Sequence, residues 1–195
     1  MSDVPRRAEA LALMREYTES ENLRKHMYAV EAAMCAYARK YGEDEDLWGV
    51  TGLIHDFDYE RWPNEALSPT EEHPSSGVAI LRERAWPEGI LHAVMAHAEH
   101  TGVEPETLMA RTLRAVDELT GFVTACALVR PSRISDLNSK SVKKKLKDRS
   151  FAAAVNREEI RAYTESIGED LTEHIDFVID AMREIAATLE LEAHA

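Results

Sequence analysis

The sequence is poor in the features that define several large classes of protein. It has two cysteines in 195 residues, and both fall in apolar helical patterns, so we expect reduced core thiols and no disulfide framework. No uninterrupted apolar run is long enough to span a bilayer. The N-terminal residues are charged and lack the apolar segment of a secretory signal. These absences favour a cytoplasmic protein without a membrane partner.

Positive charge is also scarce. Lysine and arginine number 23 against 36 aspartates and glutamates, which gives a formal net charge of −13. A phosphate backbone repels such a surface, so we expect no binding to nucleic acid or to anionic membranes. One basic run, between Lys140 and Arg149, departs from this pattern. Such a run is typical of a solvated helix face, and the alternative is an anion-binding wall.

Strand-like alternation, internal repeats and low-complexity tracts are missing as well. Apolar residues recur at helical spacing instead, and residues such as Ser20, Gly42 and Asp170 supply start and stop signals. We therefore predict an all-α, single-domain bundle of roughly eight to ten helices. The first helix is predicted from Asp3 to about Tyr17.

The most informative stretch is His55-Asp56, at the end of the apolar segment 47–54. Burying an ionised carboxylate beside an imidazole is costly unless both are paired or bind a cation. Imidazole nitrogen and carboxylate oxygen are common ligands of zinc, iron and manganese. The pair therefore indicates either a metal site or a hydrogen-bonded pair at a helix end.

Other parts of the chain supply candidate partners. His26 lies at the edge of an apolar stripe, and His73 precedes Pro74 at a predicted helix start. His97 and His100 are three residues apart and are predicted to share a helix face. Asp117 lies on a largely apolar helix, where it needs a metal or an arginine as partner.

In chain order these residues resemble the signature of the HD superfamily of metal-dependent hydrolases. The core of the resemblance is His26, His55-Asp56 and Asp117, within a match over about residues 20–125. The segment His73-Pro74-Ser75-Ser76-Gly77 is similar to a motif of the binuclear branch. Segments 117–122, 127–132 and 140–144 are similar to a bacterial group of predicted HD hydrolases. The C-terminal helices 140–190 are expected to pack on the metal-site core within one domain, 1–195.

The resemblance implies a centre of one or two divalent ions. Its ligands would be histidines and aspartates, namely His26, His55, Asp56, His73, His97 and Asp117. Asp56 would bridge two ions, and His100 is the alternative to His97. These donor types do not distinguish manganese, iron, zinc, nickel or magnesium.

The implied activity is phosphomonoester or phosphodiester hydrolysis of a small, nucleotide-like phosphorylated substrate by metal-activated hydroxide. Candidate catalytic residues are Asp56, Asp58 and Glu60. Tyr59 occupies a position where some members have glutamate. The predicted substrate contacts are basic residues: Arg61, Arg130, Lys140 and Lys144. A di-iron oxygenase of HD type, a non-catalytic nucleotide or metal sensor, and a homodimer remain alternatives.

Overall fold

The computed structural model describes residues 4–193, and within this range it is all helical, with no strand. The helices are α1 (Arg7–Tyr17), α2 (Glu21–Tyr41), α3 (Glu45–Ile54), α4 (Ser75–Glu83), α5 (Glu88–His97), a 3₁₀ helix (Glu99–Thr101), α6 (Leu108–Leu128), α7 (Ser139–Leu146), α8 (Arg157–Ser166) and α9 (Leu171–Glu184). The predicted all-α fold is confirmed. The expected start of the first helix at Asp3 lies outside the described residues.

The chain divides into two compact units between Arg114 and Ala115, within α6. The first unit contains α1 to α5 and the beginning of α6, and the second contains the remainder of α6 and α7 to α9. A single domain over 1–195 stays a prediction.

Helices α2 and α3 pack extensively against each other in the first unit, and two glycines of α3 permit the approach. A Cβ at Gly52 would lie 3.1 Å from the backbone of Glu31 and 3.0 Å from Cγ of Met34. A Cβ at Gly49 would lie 2.5 Å from Sγ of Cys35. Met27 of α2 and Leu53 of α3 are fully buried in a core to which α1, α4 and α5 also contribute apolar residues. This packing fixes the C-terminal end of α3, from which His55 and Asp56 follow.

The ends of these helices are set by the local chemistry that the sequence predicts. The side chains of Ser20 and Asp44 accept hydrogen bonds from backbone N–H groups in the first turns of α2 and α3. Gly42 ends α2 with φ of 72°, a left-handed conformation that glycine adopts without strain.

In the second unit, Asn138, Asn156 and Asp170 cap the first turns of α7, α8 and α9 in the same way. The carboxylate of Asp176 in α9 accepts hydrogen bonds from the backbone N–H and the hydroxyl of Ser139, both at 2.7 Å, and so joins α7 to α9. Across residues 4–193, no helix combines the length and the hydropathy that a membrane span requires.

Candidate metal centre

The carboxylate of Asp56 lies among four histidines, and its two oxygens face different pairs of them. Oδ1 lies 3.4 Å from Nε2 of His73 and 3.4 Å from Nε2 of His97. Oδ2 lies 3.4 Å from Nε2 of His55 and 3.7 Å from Nε2 of His26. The Asp56 side chain is 16% exposed, so solvent reaches its edge. The predicted cluster of histidines around Asp56 is therefore present within the first unit.

The ring orientations of His55 and His97 are set by the helices that carry them. Nδ1 of His55 lies 2.8 Å from the carbonyl oxygen of Gly52, and Nδ1 of His97 lies 2.5 Å from that of Val94. A carbonyl oxygen only accepts, so Nδ1 carries the proton in each ring. The lone pair of the neutral ring is then on Nε2, the nitrogen that faces Asp56.

His73 reaches the same orientation through a side chain. Its Nδ1 lies 2.7 Å from Oδ1 of Asp58, whose other oxygen accepts the backbone N–H of Gly77 at 2.7 Å. Asp58 is fully buried and His73 is 5% exposed. A buried carboxylate with two donors is well satisfied, and its contact turns Nε2 of His73 toward Asp56.

The electrostatics keep Asp56 ionised. Burial alone would raise the pKa of the Asp56 carboxyl, but interactions with His55, then His97 and His73, hold it well below its usual value of 3.8. Burial alone would lower the pKa of His73, but its hydrogen bond to Asp58 and the charge of Asp56 raise it. An anionic carboxylate among imidazoles is an arrangement that attracts a cation.

The donor geometry fits a divalent metal. Donor atoms of Asp56, His73 and His97 all lie within 4.8 Å of one another. A separation of 3.4 Å is longer than an ordinary hydrogen bond. Ligands at roughly 2.0–2.2 Å from one ion lie about 2.8–3.6 Å apart at octahedral or tetrahedral angles. Imidazole and carboxylate donors suit zinc, manganese and iron alike, so the group does not select one metal.

His97, and not His100, is the histidine next to Asp56. Helix α5 ends at His97, and a separate 3₁₀ helix begins at Glu99, so the expectation that both share one helix face is wrong. Nε2 of His100 lies 3.0 Å from Nδ2 of Asn64 and 3.3 Å from the carbonyl oxygen of His73. His100 thus contacts the loop that carries His73.

Asp117, the remaining predicted ligand, lies in the second unit, in the part of α6 that follows Arg114. Its side chain is half-buried. Its role as a ligand stays a prediction.

Two other candidates are engaged with neighbouring backbone or rings. The carboxylate of Glu60 accepts the backbone N–H groups of Glu19 and Ser20, each at 2.9 Å, just before α2 begins. The guanidinium of Arg61 lies 4.2 Å from the ring centre of Tyr17. These contacts account for both side chains structurally, and the catalytic role of Glu60 and the substrate role of Arg61 stay predictions.

The remaining basic candidates lie in the second unit. Arg130 forms an ion pair of 2.7 Å with Asp136, and with Lys144 it lines a pocket of about 450 Å³. Lys140 is exposed on α7. Two further residues support His73: Gly77, which the sequence marked only as part of the segment that resembles the binuclear branch, and Asn64, which it did not mark. Asn64 donates to the carbonyl oxygen of His73 at 2.6 Å. Its only sequence signal is its place in a loop rich in turn-forming residues.

Comparison with known families agrees with this site. A family model described as HD domain matches residues 23–121, about half of the chain, and the match includes all six predicted ligands. The chain belongs to the HD domain family. HD domains are typically metal-dependent hydrolases, and the histidine and aspartate groups described above fit divalent metal binding. Comparisons with curated proteins and with solved structures find no match.

Proposed function

We propose that the protein is a metal-dependent phosphohydrolase that cleaves a phosphomonoester or phosphodiester in a small, nucleotide-like substrate. The observation that carries this proposal is the division of the Asp56 carboxylate, whose two oxygens face two separate pairs of histidines. A carboxylate in this position suits a bridge between two ions. Two-metal sites with ions roughly 3.5–4 Å apart are common in phosphatases and nucleases.

The assignment of ligands follows from this division. His26 and His55 would hold one ion with one oxygen of Asp56, and His73 and His97 would hold the second with the other oxygen. Asp117 is proposed as a further ligand of the first ion on the resemblance to the HD signature, and it lies within the residues that the family model matches.

Ions bound there would polarise a phosphoryl oxygen and make hydroxide available near neutral pH. The protein's own residues keep the proposed metal-ligating atoms in the protonation states that bind a cation. The depressed pKa of Asp56 keeps the carboxylate ionised throughout the neutral range. The Nδ1 protons of His55 and His97 stay on backbone carbonyl groups, so both Nε2 atoms remain available as donors. Arg61, Arg130, Lys140 and Lys144 remain the proposed contacts for a phosphate group.

Metal content tests the centre directly. Protein purified without chelator is expected to carry about two divalent ions per chain by elemental analysis, and Asp56→Ala is expected to lose both. About one ion per chain would contradict the binuclear assignment. No bound metal after reconstitution with manganese, iron or zinc would overturn the proposed centre.

A matched pair of histidine variants tests which side chain belongs to it. His97→Ala is expected to lose the second ion, because Nε2 of His97 faces Oδ1 of Asp56. His100→Ala is expected to keep the full metal content, because His100 contacts Asn64 instead. The reverse result would make His100 the ligand.

The reaction is tested with the metal-replete protein on p-nitrophenyl phosphate, bis(p-nitrophenyl) phosphate and a panel of nucleotides. Phosphate release is expected, and Asp56→Ala should abolish it. Consumption of oxygen by iron-loaded protein without phosphate release would favour the HD-type oxygenase. Nucleotide binding without turnover would favour the sensor.

A further inference from the structure

We infer that Asp58 is a positioning residue that fixes the ring of His73 as a metal ligand, and that residue 77 is glycine because the Asp58 carboxylate fills the space beside it. This inference rests on the proposed metal centre. It assigns to Asp58 a role that differs from the catalytic one predicted from the sequence.

The ring of His73 lacks the backbone carbonyl acceptor that holds the rings of His55 and His97. Residues His55 and His97 each reach a carbonyl oxygen three positions earlier in the chain. His73 precedes α4, so no preceding helical turn lies beneath it. Its Nδ1 reaches Oδ1 of Asp58, fifteen residues away in the chain, at 2.7 Å. The carboxylate thus replaces the helical carbonyl as the acceptor that holds the proton on Nδ1.

Asp58 is itself held from the opposite side. Its Oδ2 accepts the backbone N–H of Gly77 in the first turn of α4 at 2.7 Å. A Cβ at position 77 would lie 2.7 Å from Cγ of Asp58 and 2.9 Å from each carboxylate oxygen. Because Asp58 is fully buried, it has no open space into which to retreat. Any larger residue at 77 would displace the carboxylate from His73.

The orientation matters because a histidine ligates through its unprotonated nitrogen. With the proton held on Nδ1, the lone pair of His73 lies on Nε2, 3.4 Å from Oδ1 of Asp56. A hydrogen-bond acceptor on the second ring nitrogen of a ligating histidine fixes the tautomer and orientation of that ring. Removal of such an acceptor typically lowers metal affinity about 10- to 100-fold.

Asp58→Asn is the sharpest perturbation, because an amide has one acceptor oxygen and cannot accept hydrogen bonds from both neighbours. If its oxygen accepts from His73, its NH₂ group faces the N–H of Gly77. If it is turned over, its NH₂ group donates to Nδ1 of His73 and forces the ring proton onto Nε2. The first arrangement loses the hydrogen bond with Gly77. The second reverses the hydrogen bond with His73 and moves the lone pair of its ring from Nε2 to Nδ1. Gly77→Ala perturbs the same carboxylate from the other side.

Two measurements on the full chain test the inference. The first is the affinity of Mn²⁺ and Zn²⁺ by calorimetry, in which both variants should weaken one of the two binding steps about 10- to 100-fold. The second is the tautomer of His73 from long-range ¹H–¹⁵N NMR of the metal-free protein, recorded above the pKa of the ring. The wild type should show the Nδ1–H form, and the variants should lose it or show a mixture.

Thr18→Val is the matched control. Its hydroxyl is buried and donates to the carbonyl oxygen of Phe57 at 3.0 Å, so the variant removes a buried hydrogen bond from the same loop without touching His73. It should lower stability and leave both ion affinities unchanged. Because Asp58→Asn and Gly77→Ala act through one contact, the double variant should bind metal little worse than either single variant.

The outcomes separate this inference from the proposed function. A wild-type chain that binds no metal would overturn the proposed function. A wild-type chain that binds metal, together with a folded Asp58→Asn variant of unchanged affinity and unchanged His73 tautomer, would overturn the role of Asp58 alone. Equal losses of affinity in Thr18→Val and Asp58→Asn would also overturn it, because the effect would then be one of general stability.

Discussion

Gly52→Ala tests whether close packing of α2 on α3 supports the metal-binding end of α3. The added methyl group would lie 3.1 Å from both N and Cα of Glu31 and 3.0 Å from Cγ of Met34. Contacts with a helix backbone are relieved only if the helices move apart, and such overpacking costs about 1–3 kcal/mol. Replacing a helical glycine by alanine recovers about 1 kcal/mol of helix propensity.

The balance is a net destabilisation of up to about 2 kcal/mol. For a chain of this length each kcal/mol lowers the melting temperature by roughly 2–4 °C, so we expect a decrease of up to about 8 °C by calorimetry. Urea unfolding followed by circular dichroism should give the same change in the free energy of unfolding.

Gly89→Ala is the control in the same unit. Its added methyl group would meet only Cε of Met109, at 3.9 Å, among the described residues, which is an ordinary van der Waals contact. This variant should be as stable as the wild type or more stable. A Gly52→Ala protein that melts above the wild-type temperature would refute the reasoning, because the gain in helix propensity would then exceed the cost of separating the two helices.

Three further predictions concern side chains around this core. Arg7 reaches the buried Glu31 with two contacts of 2.5 and 2.8 Å, so Arg7→Ala should destabilise the protein by about 1–2 kcal/mol; an unchanged urea midpoint would contradict this. Burial raises the pKa of the Cys35 and Cys126 thiols from 9.0 to about 11. The folded protein therefore holds more protons than the unfolded chain between these values, and stability should fall as pH rises from 9.0 toward 11. That fall should be shallower when both cysteines are replaced by alanine. Glu60→Gln should cost about 1 kcal/mol through its contacts at the start of α2. If these contacts are its whole role, metal content and phosphate release stay unchanged; lost hydrolysis in a protein of wild-type stability would instead support its predicted catalytic role.

The features that the sequence predicts correctly are those whose determinants are local. Ser20 and Gly42 act within one turn of α2, and a reader of the sequence sees both cap and partner at once. The His55-Asp56 pair is also local, because the apolar segment before it ends in two adjacent donors. These signals sufficed for the all-helical fold and for the centre of the candidate site.

The remaining features depend on contacts between residues far apart in the chain. Spacing alone placed His97 and His100 on one face, and only the end of α5 at His97 separates them. Glu60 bonds to backbone groups forty residues earlier, so its sequence neighbours gave no indication of that contact. The inferred role of Asp58 depends on His73 and Gly77, which the loop between α3 and α4 brings to it. No local sequence pattern predicts these contacts between residues far apart in the chain.

The histidine rings are oriented by different hydrogen-bond acceptors, so sequence change would weaken the two proposed ion sites separately. His55 and His97 take their orientation from carbonyl groups of their own helices, so they stay correctly turned for as long as those helices persist. His73 takes its orientation from a loop residue, and loops tolerate sequence change more readily than helix ends do. Substitutions in the segment between α3 and α4 would therefore weaken binding of the second proposed ion and leave the first unaffected. Relatives that diverge there would form a graded series from two-ion to one-ion proteins on an unchanged helical frame.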